Sequence, residues 1–77
     1  MLKDIINIDP EIMSGTPVFM GTRVPVKYLF DYLEDGETVD EFLQNFPTVK
    51  KWQIIKLLES AHDILLQYKN EKEKIVA

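Results

Sequence analysis

The stretch DGETVDE, residues 35–41, decides how the chain folds, because it holds the end of one helix and the start of the next. Gly36 suits the left-handed position just past a helix C-terminus, where a residue with a Cβ is strained. Thr38 and Glu41 stand at the spacing of a capping box. In it the Thr38 hydroxyl accepts from the Glu41 N–H while the Glu41 carboxylate reaches back to the Thr38 N–H. Upstream, residues 26–34 read as a first helix with Val26, Leu29, Phe30 and Leu33 on one face. Downstream, a short second helix runs from Val39 to about Asn45 with Val39, Phe42, Leu43 and Phe46 facing inward. Pro47 ends it by driving Phe46 out of the α region. A third helix is predicted from about Val49 to Tyr68. At about 100° per residue it sets Ile54, Leu57, Leu58, Ala61, Leu65 and Tyr68 on one side and Gln53, Lys56, Ser60, Asp63 and Gln67 on the other.

Before the helices comes SGTPVFMGTRVPV, residues 14–26. Its glycines do not make a phosphate loop, which needs Lys and Ser/Thr directly after the second glycine; here Gly21 is followed by Thr22 and Arg23. Two short β-prone runs, Val18-Phe19-Met20 and Arg23-Val24, with Gly21-Thr22 as a two-residue turn, predict a hairpin. After Tyr68 the sequence is almost wholly charged until the apolar tip Ile75-Val76-Ala77, which reads as a frayed helix end able to order on a partner. The expected organisation is one domain over residues 1–77: a β element in 1–25, three helices in 26–68 and a charged tail in 69–77.

Composition narrows the function classes. With 77 residues, 45% of them apolar, there is material for one small core, so self-association is the expected support. The absence of cysteine and the single histidine exclude a disulfide framework and a Cys/His zinc site. His62, at the margin of the apolar face of the third helix, has no nucleophile or carboxylate at a catalytic spacing, so no enzyme activity and no cofactor is expected. There is no run of apolar residues long enough for a bilayer, and a soluble, cytoplasmic protein is the expectation. The net charge of −4 opposes nucleic-acid binding, but it is unevenly spread. Residues 1–47 hold three basic residues against nine acidic ones, whereas residues 48–77 hold six lysines against four acids.

Helix, four-residue turn, short helix, turn and longer helix make the outline of a three-helix helix-turn-helix domain, in which the last helix enters the major groove. The runs Ile8-Asp9-Pro10-Glu11-Ile12, Gly15-Thr16-Pro17-Val18, Gly21-Thr22-Arg23-Val24-Pro25-Val26, Asp35 to Glu41 and Phe46-Pro47 together resemble the prokaryotic family known as domain of unknown function 433, over roughly residues 5–66. The resemblance implies a mainly α, homeodomain-like helix-turn-helix fold with a short N-terminal β element that helps pair subunits. It also implies a VapB-type antitoxin and, for some relatives, a neighbouring PIN-like nuclease toxin. The chain departs from the family pattern at Thr16, where a basic residue is usual. It departs again at Val49-Lys50-Lys51-Trp52-Gln53, where the family has an acidic first turn.

On this reading Lys50, Lys51, Gln53 and Lys56 are the DNA-contacting candidates, the lysines toward phosphates and Gln53 toward an adenine edge. Trp52 projects near the polar side of the third helix, as an anchor for a partner or as a side chain packed under the corner between the first two helices. Arg23 can snorkel, bind phosphate or pair with an acid such as Asp9 or Asp31, the ion pair being the expectation. The expected function is an antitoxin-like homodimer, joined through its N-terminal β element, that binds operator DNA and a PIN-like nuclease toxin. The alternative is a protein-interaction module that keeps the helix-turn-helix fold without binding DNA.

Overall fold

The computed structural model describes residues 2–76, with side chains described for residues 2–72. After a 3-10 turn at Leu2–Asp4 comes strand β1, Ile6–Asn7, which pairs antiparallel with β2, Val18–Phe19, in the register Ile6 to Phe19 and Asn7 to Val18. A second 3-10 turn at Met13–Gly15 lies between the strands. Three helices follow among the described residues: α1, Val26–Glu34; α2, Val39–Asn45; and α3, Lys51–Val76. The molecule is thus mainly helical with a short antiparallel sheet at its N-terminal end, the architecture expected from the sequence.

The expected hairpin is present only in part. Thr22 N–H donates to the Phe19 carbonyl at 3.0 Å, so the turn is centred on Met20-Gly21, one residue earlier than predicted. Gly21, at φ +78°, supplies the positive angle that a turn of this geometry needs at its third position. The Thr22 hydroxyl closes it, donating to the Phe19 carbonyl at 2.8 Å and accepting from Val24 N–H at 3.0 Å. Beyond the turn the returning chain makes only a bridge between Val18 and Pro25, flanked by bonds from Phe19 N–H to the Val24 carbonyl and from Val26 N–H to the Pro17 carbonyl; the ladder goes no further because Pro17 has no N–H to return and Val24 N–H is taken by the Thr22 hydroxyl. The main strand partner of Val18–Phe19 is instead Ile6–Asn7, and Met20 N–H donates to the Ile5 carbonyl at 2.8 Å.

The helix ends follow the sequence closely. Gly36, at φ +83°, donates to the Leu33 carbonyl at 3.1 Å and Glu37 N–H to the Tyr32 carbonyl at 2.9 Å, the bond pair of a Schellman motif. The Thr38 hydroxyl accepts from Glu41 N–H at 3.1 Å, as the capping box requires. The Glu41 carboxylate meets the Thr38 hydroxyl at 3.2 Å, where the Thr38 N–H was expected. Phe46 stands at φ −128°, ψ 70°, outside the helical region ahead of Pro47.

Helix α3 departs from expectation at its far end. It continues past Tyr68 to Val76, so the backbone of the stretch read as a frayed helix end is helical. The apolar tip Ile75-Val76-Ala77 lies outside the described side chains. A helix of 26 residues is about 39 Å long, which the small body cannot cover.

The core joins Ile5, Phe19, Leu29, Phe42, Val49 and Ile54 with their buried neighbours. Phe42 is its hub, with ring centroids 6.1 Å from Phe19, 5.3 Å from Tyr32 and 4.9 Å from Phe46. Burying a side chain of this size contributes about 1.5–3 kcal/mol, before the edge contacts between rings add to it. In α1 the buried face is rotated from the predicted one: Leu29 and Val26 are buried, Tyr32 packs on the core, and Phe30 and Leu33 are exposed.

Candidate functional site

The start of α3, where the basic residues gather, is built by a polar residue that the sequence placed on the outside. Gln53 is only 3% exposed. Its Oε1 accepts from Lys50 N–H at 2.9 Å, closing the first turn from the third helical position. Its Nε2 donates to the Met20 carbonyl at 3.0 Å and so ties α3 to the turn at 19–22. Both ends of the amide are occupied inside the protein, and Gln53 has no free edge to offer an adenine; that assignment is corrected to a structural one. The periodicity placed it on the polar side, and the missing signal was Met20, a backbone acceptor far away in sequence.

Lys50, Lys51 and Lys56 are exposed. Lys56 Nζ lies 3.5 Å from the Glu59 carboxylate, with both side chains more than half open to solvent, an arrangement of little energetic weight. Trp52 is 53% exposed and is not packed beneath the corner between α1 and α2. On the same side of α3, Ile55 is 46% exposed. The outer surface of the first two turns is therefore an aromatic and an aliphatic side chain set among Lys51 and Lys56. His62 is exposed, its Nδ1 3.8 Å from the Asp63 carboxylate.

Arg23 does not form the expected ion pair. Asp31 is taken by Lys27, whose Nζ lies 2.8 and 2.9 Å from its two oxygens, and the carboxylate raises the Lys27 pKa above its ordinary value. Asp9 accepts from Glu11 N–H at 2.9 Å within its own turn. Arg23 instead lines a broad open cleft of about 690 Å³ together with Asn7, Thr22, Tyr28, Phe46 and Thr48. Tyr28 and Phe46 lie 5.9 Å apart, centroid to centroid, and give the cleft an aromatic wall. Met13, another lining residue, and Ser14 next to it hold φ of 50° and 57°, a conformation that costs residues with a Cβ roughly 1–2 kcal/mol each. A cation beside hydroxyls and an aromatic wall suits an acidic or planar group of a binding partner. Among the described residues no three His, Cys, Asp or Glu side chains gather as a metal site, and no helix is long and apolar enough to cross a membrane.

A family model described as "Protein of unknown function (DUF433)" matches residues 6–61, from β1 to the middle of α3. The chain is also similar to an uncharacterized protein, y4eO, of Sinorhizobium fredii, with 36% identity over 47 residues. The aligned part is 61% of this chain and 21% of that relative, so the chain spans about a fifth of the length of the curated relative it matches. No solved structure matches.

Proposed function

The chain belongs to the DUF433 family, and from that premise we propose that it acts as the antitoxin-like member of a prokaryotic toxin-antitoxin pair, working chiefly by binding a protein partner in the cytoplasm. The partner in this reading is a PIN-like nuclease toxin. The observation that carries it is the outer surface of the first two turns of α3, where Trp52 and Ile55 stand half bare between lysines. Interfaces draw most of their energy from such an aromatic anchor with a polar rim. Co-purification with the product of the adjacent gene tests it. Trp52→Ala is expected to weaken that complex by roughly 30-fold, the effect of losing a Trp hot spot. A complex indifferent to Trp52→Ala removes this surface from the reading, and no complex at all removes the reading.

A second role is supported by a separate observation. Lys50 and Lys51 stand exposed at the helix start that Gln53 ties to the turn at 19–22. If α2 and α3 form a helix-turn-helix, these cations would meet phosphates, while base reading would have to come from residues other than Gln53. Each lysine removed is expected to lower the slope of log affinity against log salt by about one unit on any DNA sequence. Mobility-shift titrations with Lys50→Ala/Lys51→Ala check this; no shift of the upstream DNA at low salt leaves the protein-interaction role alone.

A further inference from the structure

The cleft beside Arg23 holds groups that the fold itself leaves unused. Arg23 is its one charged lining residue and none of the others is acidic, although Asp and Glu outnumber Lys and Arg by 13 to 9 in the chain. Among the described residues Arg23 has no ion-pair partner, and its main-chain N–H and C=O make no hydrogen bond. The Asn7 side-chain amide and the hydroxyls of Tyr28 and Thr48, which share the cleft, also bond to no described residue. These polar groups stand against the wall made by the Tyr28 and Phe46 rings. At the rim Met13, Ser14 and Gly15 hold φ of 50°, 57° and 84°, a run of left-handed residues where side chains with a Cβ ordinarily visit that region singly. Strain of this kind persists only where the surroundings hold it, and it gathers at ligand clamps.

We propose that this cleft binds the carboxylate of an extended peptide segment that carries an aromatic or branched apolar side chain next to the acid. Charge selects the anion, since a guanidinium with no acid paired to it offers a planar fork of N–H donors that matches the two oxygens of a carboxylate. A single cation balances the one charge of a carboxylate, whereas a row of DNA phosphates draws on several. The aromatic wall selects what stands beside the anion, because the Tyr28 and Phe46 rings offer faces and edges to a flat or branched side chain. Shape selects a segment of chain over a free small molecule. A volume of about 690 Å³ is within the range of small-ligand sites, but those bury most of their ligand, and this cleft is broad and open. An extended segment suits an open trough, for its main chain can meet the free N–H and C=O of Arg23 and the side-chain amide of Asn7. A chain end and an acidic side chain supply the same group, and the probes below separate them. The cleft is lined by neither Trp52 nor any lysine, so the proposal does not depend on the reading of α3.

Short peptides titrated at millimolar concentration into the isotopically labelled full chain test it. Acetyl-Gly-Phe-Glu-Gly-amide carries its only carboxylate on a side chain, acetyl-Gly-Phe-Gln-Gly carries it at the chain end, and acetyl-Gly-Phe-Gln-Gly-amide has none. At least one of the two charged peptides is expected to shift the backbone signals of Thr22, Arg23 and Thr48 and the side-chain amide of Asn7, and which of them does so identifies the source of the acid. The neutral peptide is expected to bind about 10-fold more weakly, the effect of losing a charge-assisted pair. Arg23→Gln should bring the charged peptides down to the level of the neutral one, and Arg23→Lys, which keeps the charge and loses the fork, should fall between. Arg23 is exposed and outside the core, so both variants should keep the spectrum of the folded chain. Trp52→Ala should leave peptide binding unchanged, so a failure of the α3 surface as a partner site is read separately. Equal binding of all three peptides overturns the proposal whether or not any variant folds. So do binding that survives Arg23→Gln, shifts centred on Lys51 and Trp52, and the absence of any shift. Phenylacetate binding as tightly as the charged peptides also overturns it, since that would make the cleft a site for a small acid.

Discussion

Gln53 shows how one side chain can serve two distant parts of the fold. Its carbonyl oxygen caps α3 through Lys50 N–H, and its amide N–H holds the Met20 carbonyl. Gln53→Ala leaves both groups without their partner at a nearly dry position, and the denaturation midpoint is expected to fall by the equivalent of about 2 kcal/mol. Gln53→Glu separates the two roles, since a carboxylate still accepts from Lys50 N–H but faces the Met20 carbonyl without a proton to share; it should recover only the capping part. Thr38→Ala, which removes the acceptor for Glu41 N–H, is expected to cost about 1 kcal/mol in the same measurement. The role of Thr38 was legible in the sequence because its partner is three residues away. Gln53 was not, because its second partner precedes it by 33 residues.

The same contrast between local and distant determinants holds for whole elements. Gly36, Thr38 and Pro47 act on the backbone beside them, and so α1 and α2 were readable to the residue: Val26–Glu34 and Val39–Asn45. The pairing of Ile6–Asn7 with Val18–Phe19 depends on closing a loop through residues 8–17, including the unusual backbone at Met13 and Ser14, which no local pattern announces. The end of α3 was placed short, at Tyr68, for a different reason. Alternating Lys and Glu from residue 69 onward look solvated, and they are compatible with a helix as well as with a tail. Hydrogen exchange distinguishes the two halves of this helix. Amides of residues 54–58, tied to the core through Ile54 and Leu57, should exchange slowly, and those beyond Asp63 quickly in dilute protein.

At the scale of the whole molecule, the core is small and Phe42 touches much of it. Phe42→Ala is expected to remove about 3–5 kcal/mol, a large share of the 5–15 kcal/mol that a folded domain usually has, so urea unfolding should shift to very low denaturant or show no folded baseline. The candidate interaction surfaces lie on the outer side of α3 and around the cleft beside Arg23, whose wall at Phe46 rests on the core. The basic cluster at Lys50, Lys51 and Lys56 could be found from the sequence because charge is a property of composition. The cleft could not, since Arg23, Tyr28 and Thr48 meet only after the turn at 19–22 and the loop at 46–50 are folded against each other.

Trp52, the chain's only indole, sits at the surface and outside the core, and this makes the protein carry its own optical reporter. An indole already in water should emit at long wavelength in the native state and change little when the core melts, so tryptophan fluorescence would follow unfolding poorly, whereas tyrosine absorbance and circular dichroism would follow it well. A partner that dried the outer surface of α3 would shift the emission to shorter wavelength without any label. One series of spectra taken against an added partner would then read that association directly.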